Sequence, residues 1–435
     1  MVNTRAMTGF MELTPGQQLE FDRIRRVIEQ EYVRFGFTPI DTPGIERSEV
    51  LLAKAGGETE KQIYRFTKGG DDVSLRFDLT VPLARYVAEH YSELVFPFRR
   101  SHIAKVYRGE RPQKGRYREF YQCDIDVIGE CTLGIAYDAE IPRVIYSTFS
   151  RLDFGKFTIK VNNRMILSGL MSHLNAESIS TDVLRVVDKI EKISHEEFIS
   201  ELKALGLSES QVNDVVRFIR IKDDPDSTID QLRAMGVEDD KFEQGVNDLE
   251  TVVRLMRTMG IPDSHFAIDL SIARGLDYYT GTIYETTLDN HSRIGSICSG
   301  GRYDNLASCY TDRRLPGVGI SIGLTRLFSQ LLELDIVGSN KKTVADVLVI
   351  PLTDSEVQSA LTLANQLRSS GNNVDVLLTS AQVKRKFRYA DRIGVPNVIV
   401  VGADEVASQL FTLQNMSTGN KLSLTVNEIS ERLTS

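Results

Sequence analysis

No run of apolar residues in this 435-residue chain approaches the roughly 18 that a membrane-crossing helix needs. The first residues, MVNTRAMTGFMELTPGQQ, hold no apolar segment followed by a small-residue cleavage site. No secretion signal is read there, and a cytoplasmic setting without a membrane partner is the expectation. Cysteine is scarce. Cys123, Cys131, Cys298 and Cys309 form no CxxC pair and do not cluster with the six histidines. That argues against a structural zinc site and fits reduced thiols, so no metal-ligating set is assigned. GxGxxG is missing too, which leaves a dinucleotide site unsupported. The net charge of −8 does not advertise a nucleic-acid binder, although local distribution matters more than the sum. From Lys341 onward ten basic residues stand against nine acidic ones, so the C-terminal part is less acidic than the body.

What is present is ordinary globular material, 41% apolar and 26% charged. Its length suits two or three domains of roughly 100–200 residues each. Thr14 is a plausible N-cap with Pro15 at the first helical position, and Leu19, Ile24, Val27, Ile28 and Phe35 follow at helical spacing up to Gly36. Phe37 to Pro43 reads as an extended strand whose prolines bar it from a sheet interior and place it at an edge or an interface. Between about Met171 and Gly260 apolar residues recur at helical spacing among many charges, which predicts a helical insertion serving as scaffold. Gly317 to Gly323 leads into a helix starting near Leu324. Beyond the polar stretch 338–342, strand and helix patterns alternate through 345–351, 355–369, 374–378, 382–393 and 397–401. That predicts a small α/β domain with a largely parallel core.

The richest segment is Phe96 to Gly129. Eight basic residues and one acid, Glu110, lie between Arg99 and Arg118. The flanks alternate like strands, and Arg111-Pro112-Gln113-Lys114-Gly115-Arg116 reads as the loop of a long hairpin. Inward arginines and an aromatic could hold a polyphosphate and a nucleobase, since the guanidinium fork suits phosphate oxygens. The alternative is a solvated basic face. Four other segments carry chemistry-bearing residues. Arg76 to Thr80 reads as extended, with Asp78 and Thr80 on one face. Gln122 and Asp126 lie four apart in a strand-like run. Arg274-Gly275-Leu276-Asp277-Tyr278-Tyr279-Thr280-Gly281 combines a cation with two phenols, and Ser299-Gly300-Gly301-Arg302-Tyr303-Asp304 reads as a glycine-rich polar turn.

Together, in this order, these segments resemble the class II aminoacyl-tRNA synthetases and specifically the histidyl-tRNA synthetase family. Phe37–Pro43 is similar to motif 1, Val106–Gly129 to motif 2 with its Tyr107-Arg108-Gly109-Glu110 element, and Gly317–Leu327 with Arg326 just inside it to motif 3. RGLDYYTG at 274–281 and SGGRYD at 299–304 resemble the two histidine signatures. Another class II synthetase would be expected to lack both signatures. A catalytically silent relative need not keep them together with the triphosphate arginines and the tail.

The resemblance implies an α+β catalytic domain with a mainly antiparallel sheet, a helical insertion and a C-terminal α/β anticodon-binding domain. The boundaries expected are 1–170 and 262–337 for the catalytic core, 171–261 for the insertion, 338–342 for a linker and 343–435 for the tail. It further implies a homodimer that uses ATP with Mg2+ to ligate L-histidine to its tRNA through a histidyl-adenylate, releasing AMP and pyrophosphate. Arg274 and Arg108 are carried over as catalytic cations. Asp78, Leu79, Thr80, Arg108, Gln122, Asp126, Arg274, Tyr278 and Tyr279 are carried over for histidine, with Asp126 and Tyr279 on the imidazole. Glu110, Phe120, Arg116, Arg108 and Arg326 are carried over for ATP. For tRNA the candidates are Arg111, Gln113 and Lys114 in the loop, and Lys384, Arg385 and Arg388 around Phe387 in the tail. A solvated helix face is the other reading of that tail run.

Overall fold

The computed structural model describes residues 2–53, 57–111, 115–187, 189–190, 193–272, 279–338 and 341–434. They fall into two compact units, residues 1–11 with 24–336 and residues 12–23 with 337–435. Among the described residues no helix is long and apolar enough to cross a membrane.

The larger unit is organised by an eight-stranded sheet. In spatial order its strands are Thr38–Pro39, Phe98–Tyr107, Glu119–Ile128, Gly317–Gly323, Ser296–Tyr303, Thr282–Leu288, Phe157–Asn163 and Phe266–Ile268. Only the two outer pairs are parallel. The long hairpin forms the expected antiparallel pair, with Phe98 opposite Ile128 and Tyr107 opposite Glu119. Thr38–Pro39 lies at the sheet's edge, where a proline leaves no ladder bond unmade. The first helix, Pro15–Arg34, starts as predicted, and the Gln17 side chain accepts from the Thr14 backbone N–H. Gly36, with φ +75°, ends the turn after it in the left-handed region that glycine enters without strain.

The predicted helical stretch is helical in the structure, from Arg164–His173 through Asp240–Thr258. These two helices approach closely because each offers a glycine: a Cβ on Gly169 would strike the Phe242 backbone, and one on Gly245 would strike Ile166. The segment therefore packs against the sheet unit and is not a compact unit of its own.

Two expectations need correction. Arg76 to Leu79 is not extended; the strand Asp71–Leu75 stops before it, and helix Thr80–Glu89 follows at once. The Asp78 carboxylate turns the chain there by accepting from the Val81 N–H at 3.1 Å. Nor is SGGRYD a turn, because Ser299 to Tyr303 lies inside the strand Ser296–Tyr303. Its glycines serve by lacking a Cβ: one on Gly300 would collide with the Gly319 carbonyl oxygen, and one on Gly301 with the Thr282 carbonyl oxygen.

In the smaller unit, strands Val374–Val376, Val347–Pro351 and Asn397–Val401 are parallel as predicted. The sequence pattern did not disclose Phe411–Asn415 and Lys421–Leu424, which extend this sheet antiparallel. The core on one side of it joins Val347, Val349, Leu363, Leu367, Ile399 and Ile429.

The close approach at Gly300 generates a stability test. Gly300→Ala is expected to cost about 1–3 kcal/mol or more, since the backbone it meets cannot yield as a side-chain tip would. Gly44→Ala, which meets nothing within 4 Å, serves as control. Denaturant midpoints that agree for the two variants would refute this role of Gly300.

Candidate active site

A cavity of about 440 Å³ opens over the centre of the eight-stranded sheet. Its floor comes from strands Glu119–Ile128, Gly317–Gly323 and Ser296–Tyr303, and its rim from the hairpin loop and the turn before helix Thr80–Glu89. Asp78, Thr80, Arg108, Glu110, Arg116, Phe120, Gln122, Asp126, Tyr279 and Arg326, drawn from segments far apart in the chain, all line it. Leu79 does not. It is buried against Ala104, Val106 and Phe120 beneath the rim. Arg274, Tyr278, Gln113 and Lys114 lie outside the described residues. Arg111 is exposed beside the rim.

One end of the cavity is acidic and dry. Asp126 stands opposite Arg100 in the hairpin register and opposite Gly319 on its other side. Gly319 is required there, because a Cβ would overlap the Asp126 carboxylate; Gly317 likewise clears space for the Tyr303 ring. Asp126 Oδ2 is ion-paired with Arg100 Nη2 at 2.5 Å, and Oδ1 accepts from the Tyr303 hydroxyl at 2.7 Å. Asp124 Oδ2 lies 3.9 Å from the same guanidinium nitrogen. Burial pushes Asp126 up to about 7, with the Arg100 guanidinium opposing it and Asp124 adding to it. Burial likewise raises Asp124 and Asp78 to about 6 each, against Arg100 for the first and the Val81 N–H for the second. His102, opposite Asp124, is lowered to about 4 by burial and by Arg100, so it adds no cation near neutrality. Burial also holds the Tyr303 phenol well above its usual range, which keeps it a donor.

Two acceptors on residues that line the cavity here are buried without a hydrogen-bond partner among the described residues, Asp78 Oδ2 and Gln122 Oε1. The Gln122 amide nitrogen is fixed by donating to Ser321 Oγ at 2.8 Å, which aims its oxygen, so an acceptor stands where the resemblance implies a donor to the substrate carboxylate. Unsatisfied buried acceptors are expensive, so a pair facing one cavity marks a place for a donor-rich ligand group.

The other end is cationic and open. Arg108 donates from Nε to the Phe77 carbonyl at 3.0 Å, and its guanidinium carbon lies 5.2 Å from the Phe120 ring centroid. Arg116 is exposed, with Nη1 3.5 Å from Glu110 Oε2. Arg326, in the first turn of helix Leu324–Glu333, donates to the Ile294 carbonyl at 2.7 Å. Guanidinium groups arrayed along a cleft suit a polyanion.

Sequence reasoning quoted Tyr303 without giving it a role and counted Arg100 only as one more basic residue. Alternation along one strand could not show that Asp126 would lie opposite Arg100. Arg302, in the same signature, instead pairs with buried Asp138 at 2.5 Å and ties its strand to helix Ala136–Leu152. In the tail, Lys384, Arg385 and Arg388 are exposed on helix Val383–Ile393 as read. Phe387 is not a platform between them, because it packs into the tail core with Leu348, Ile350 and Val398. Lys386 is buried and donates to the Pro351 carbonyl at 2.6 Å.

A mainly antiparallel sheet carrying an arginine-lined cleft, in a chain with a separate C-terminal α/β unit, fits the class II aminoacyl-tRNA synthetases. The histidyl-tRNA synthetase profile matches residues 9–327 and the anticodon binding domain profile matches residues 346–435. The histidine–tRNA ligase of Clostridium tetani is 52% identical over 98% of this chain and 97% of its own. That of Finegoldia magna is 46% identical over the full length of both. The crystal structure of histidyl-tRNA synthetase from a Nostoc species superposes with a TM-score of 0.92 at 38% identity, covering 100% of this chain and 99% of that one. The chain belongs to the histidyl-tRNA synthetase family.

The raised carboxylates have a consequence for stability. An acid whose folded pKa lies above its unfolded value binds its proton more tightly when folded, so stability falls as pH rises between the two. For Asp126 that window runs from the ordinary carboxylate value of about 3.8 up to about 7. Asp126→Asn mimics the protonated form at every pH. It is expected to gain stability relative to the native chain as pH rises through this window, by more than about 1 kcal/mol at pH 8. Urea midpoints at pH 5 and pH 8 check this, and a variant equally or more destabilised at pH 8 would contradict the assignment.

Proposed function

We propose that this chain is a histidine–tRNA ligase that activates L-histidine with ATP as a histidyl-adenylate and then transfers it to tRNA, releasing pyrophosphate and AMP. The observation that carries the reading is one cavity with two characters. Buried acceptors and an anchored carboxylate lie at one end, and Arg108, Arg116 and Arg326 lie at the other.

The division matches the chemistry. In the first step a histidine carboxylate oxygen attacks the α-phosphorus and pyrophosphate leaves; both reactants are anions, so fixed cations and orientation lower the barrier. Arg108 is suited to the carboxylate and α-phosphate, and Arg116 and Arg326 to the outer phosphates. Glu110 and Phe120 are assigned to adenine. Asp78 Oδ2, Gln122 Oε1 and the Thr80 hydroxyl would accept from the substrate ammonium. Asp126 and Tyr279 would meet the two imidazole nitrogens, one a donor and one an acceptor in the neutral ring. Arg274 and Tyr278 are assigned to the same substrate by the family pattern alone. In the second step a terminal tRNA hydroxyl attacks the acyl carbon and AMP departs.

Magnesium would travel on the triphosphate, the usual arrangement for an ion that keeps its waters. The carboxylates at the cavity floor do not fit such an ion: Asp126 and Asp124 already face Arg100, and no described cluster of three or more His, Cys, Asp or Glu side chains is arranged to hold a metal. The reading also includes a homodimer in the cytoplasm, with 1–170 and 262–337 as catalytic core, 171–261 as insertion, 338–342 as linker and 343–435 as the anticodon reader.

Pyrophosphate exchange into ATP should depend on histidine and on no other standard amino acid. Tyr279→Phe should raise the histidine requirement on the order of tenfold while leaving that for ATP nearly unchanged, because a lost buried hydrogen bond costs about 1–3 kcal/mol. Exchange with a different amino acid, or an equal rise for ATP, would overturn the assignment.

The tail is tested separately. Neutralising Lys384, Arg385 and Arg388 together should weaken tRNA binding and flatten its salt dependence, since fewer phosphates are matched, while sparing exchange. Unchanged tRNA affinity across salt concentrations would remove these residues from the interface.

A further inference from the structure

We propose that Arg100, which lines no part of the cavity, is a positioning residue for amino-acid selection: from beneath the floor it fixes the Asp126 carboxylate as an acceptor for a ring N–H of the substrate. This rests on the histidine-activating reading above and adds a residue that reading does not use.

Arg100 is fully buried, and its strand places it directly across from Asp126. Its guanidinium is poorly satisfied for so costly a position. Nη2 serves Asp126 Oδ2 and lies 3.4 Å from the Leu79 carbonyl, while Nε and Nη1 are buried without hydrogen-bond partners among the described residues. A side chain kept only for stability would be expected to use more of its five donors. Besides the Leu79 carbonyl, what it does engage is Asp126, in the ion pair that decides how that carboxylate behaves.

The charged and titratable groups around Asp126 come from four elements. Arg100 and neutral His102 belong to strand Phe98–Tyr107, and Asp124 to Asp126's own strand. Tyr303 belongs to strand Ser296–Tyr303, and Asp78 to the turn before helix Thr80–Glu89. The facing strand Gly317–Gly323 contributes only glycine and Ser321. Tyr279 and Arg108 line the same cavity. Three buried carboxylates thus share Arg100, with Arg108 at the edge.

An ionised Asp126 is ion-paired with Arg100, accepts from Tyr303 and, with up to four acceptor sites, still accepts from a ligand N–H. A protonated Asp126 would turn donor and reverse the Tyr303 bond. The Arg100 charge therefore sets the direction of the chain of hydrogen bonds, and with it which ring nitrogen the pocket takes as donor. It does so with no contact to substrate.

The test uses Arg100→Met, Arg100→Lys and Asp124→Asn in the full-length chain, each assayed for histidine-dependent pyrophosphate exchange across pH. Arg100→Met should raise KM for histidine about tenfold or more with KM for ATP within about twofold. Its acid limb in kcat/KM for histidine should move up by about one pH unit or more, because ionising Asp126 has lost its cation. Arg100→Lys should restore much of the native profile. Asp124→Asn removes a competing anion and should move the limb the opposite way, towards lower pH. A limb unmoved in both Arg100→Met and Asp124→Asn, or equal rises in both KM values, would overturn the proposal. Should Arg100→Met not fold, Arg100→Lys and Asp124→Asn decide it: a KM for histidine raised no more than that for ATP in the first, or a limb unmoved or shifted to higher pH in the second, would overturn the proposal. A native chain with no histidine-dependent exchange would instead defeat the underlying reading.

Discussion

Three carboxylates, Asp78, Asp124 and Asp126, are packed into the space served by one fully buried guanidinium, Arg100, with Arg108 at its edge. Taking charges out of water costs more than their pairing returns unless geometry and hydrogen bonding are complete, and here they are not. Asp78 Oδ2 and Gln122 Oε1 still lack donors, and each carboxylate sits above its ordinary pKa. The floor of the cavity is a strained electrostatic arrangement held in place by the sheet. On the proposed reading, a substrate that brings an ammonium and a ring N–H would complete it, and the free energy withheld from folding would become available to recognition.

The strand chemistry around that cluster follows from the need to hold it. Gly317 and Gly319 occupy the strand beside Asp126 because the Tyr303 ring and the Asp126 carboxylate fill the places of their side chains. Gly300 and Gly301 let neighbouring backbones approach on the next strand. The Arg302–Asp138 pair anchors that strand to the helix behind it. The cationic end shows none of this depth of burial; Arg108, Arg116 and Arg326 approach from loop, rim and helix start.

Much of this was legible in the residues. Alternation disclosed the long hairpin, helical spacing disclosed the insertion, and the cavity gathers every described residue carried over for histidine and ATP except Leu79. The errors have physical reasons. Glycine suggested a turn at SGGRYD because its freedom at positive φ is its commonest use, whereas here its lack of a Cβ within a strand is what counts. Asp78 sits in a turn because its carboxylate can take a backbone N–H, a local competitor to extended structure that periodicity does not register. Phe387 lies between cations in sequence yet points inward, since helical spacing separates the faces of adjacent residues. Arg100 escaped notice for a different reason. A period of two tells which side of a strand a residue takes, but its partner is set by register with another strand.

The most direct measurement of the central claim is calorimetric titration of the protein with histidine at pH 7 in buffers of different ionisation enthalpy. If the substrate completes a half-protonated carboxylate floor, binding releases protons to the buffer, and the release fades by pH 9, where Asp126 and Asp78 are already ionised. Histidine binding at pH 7 with no net proton release, or with uptake, would contradict the account.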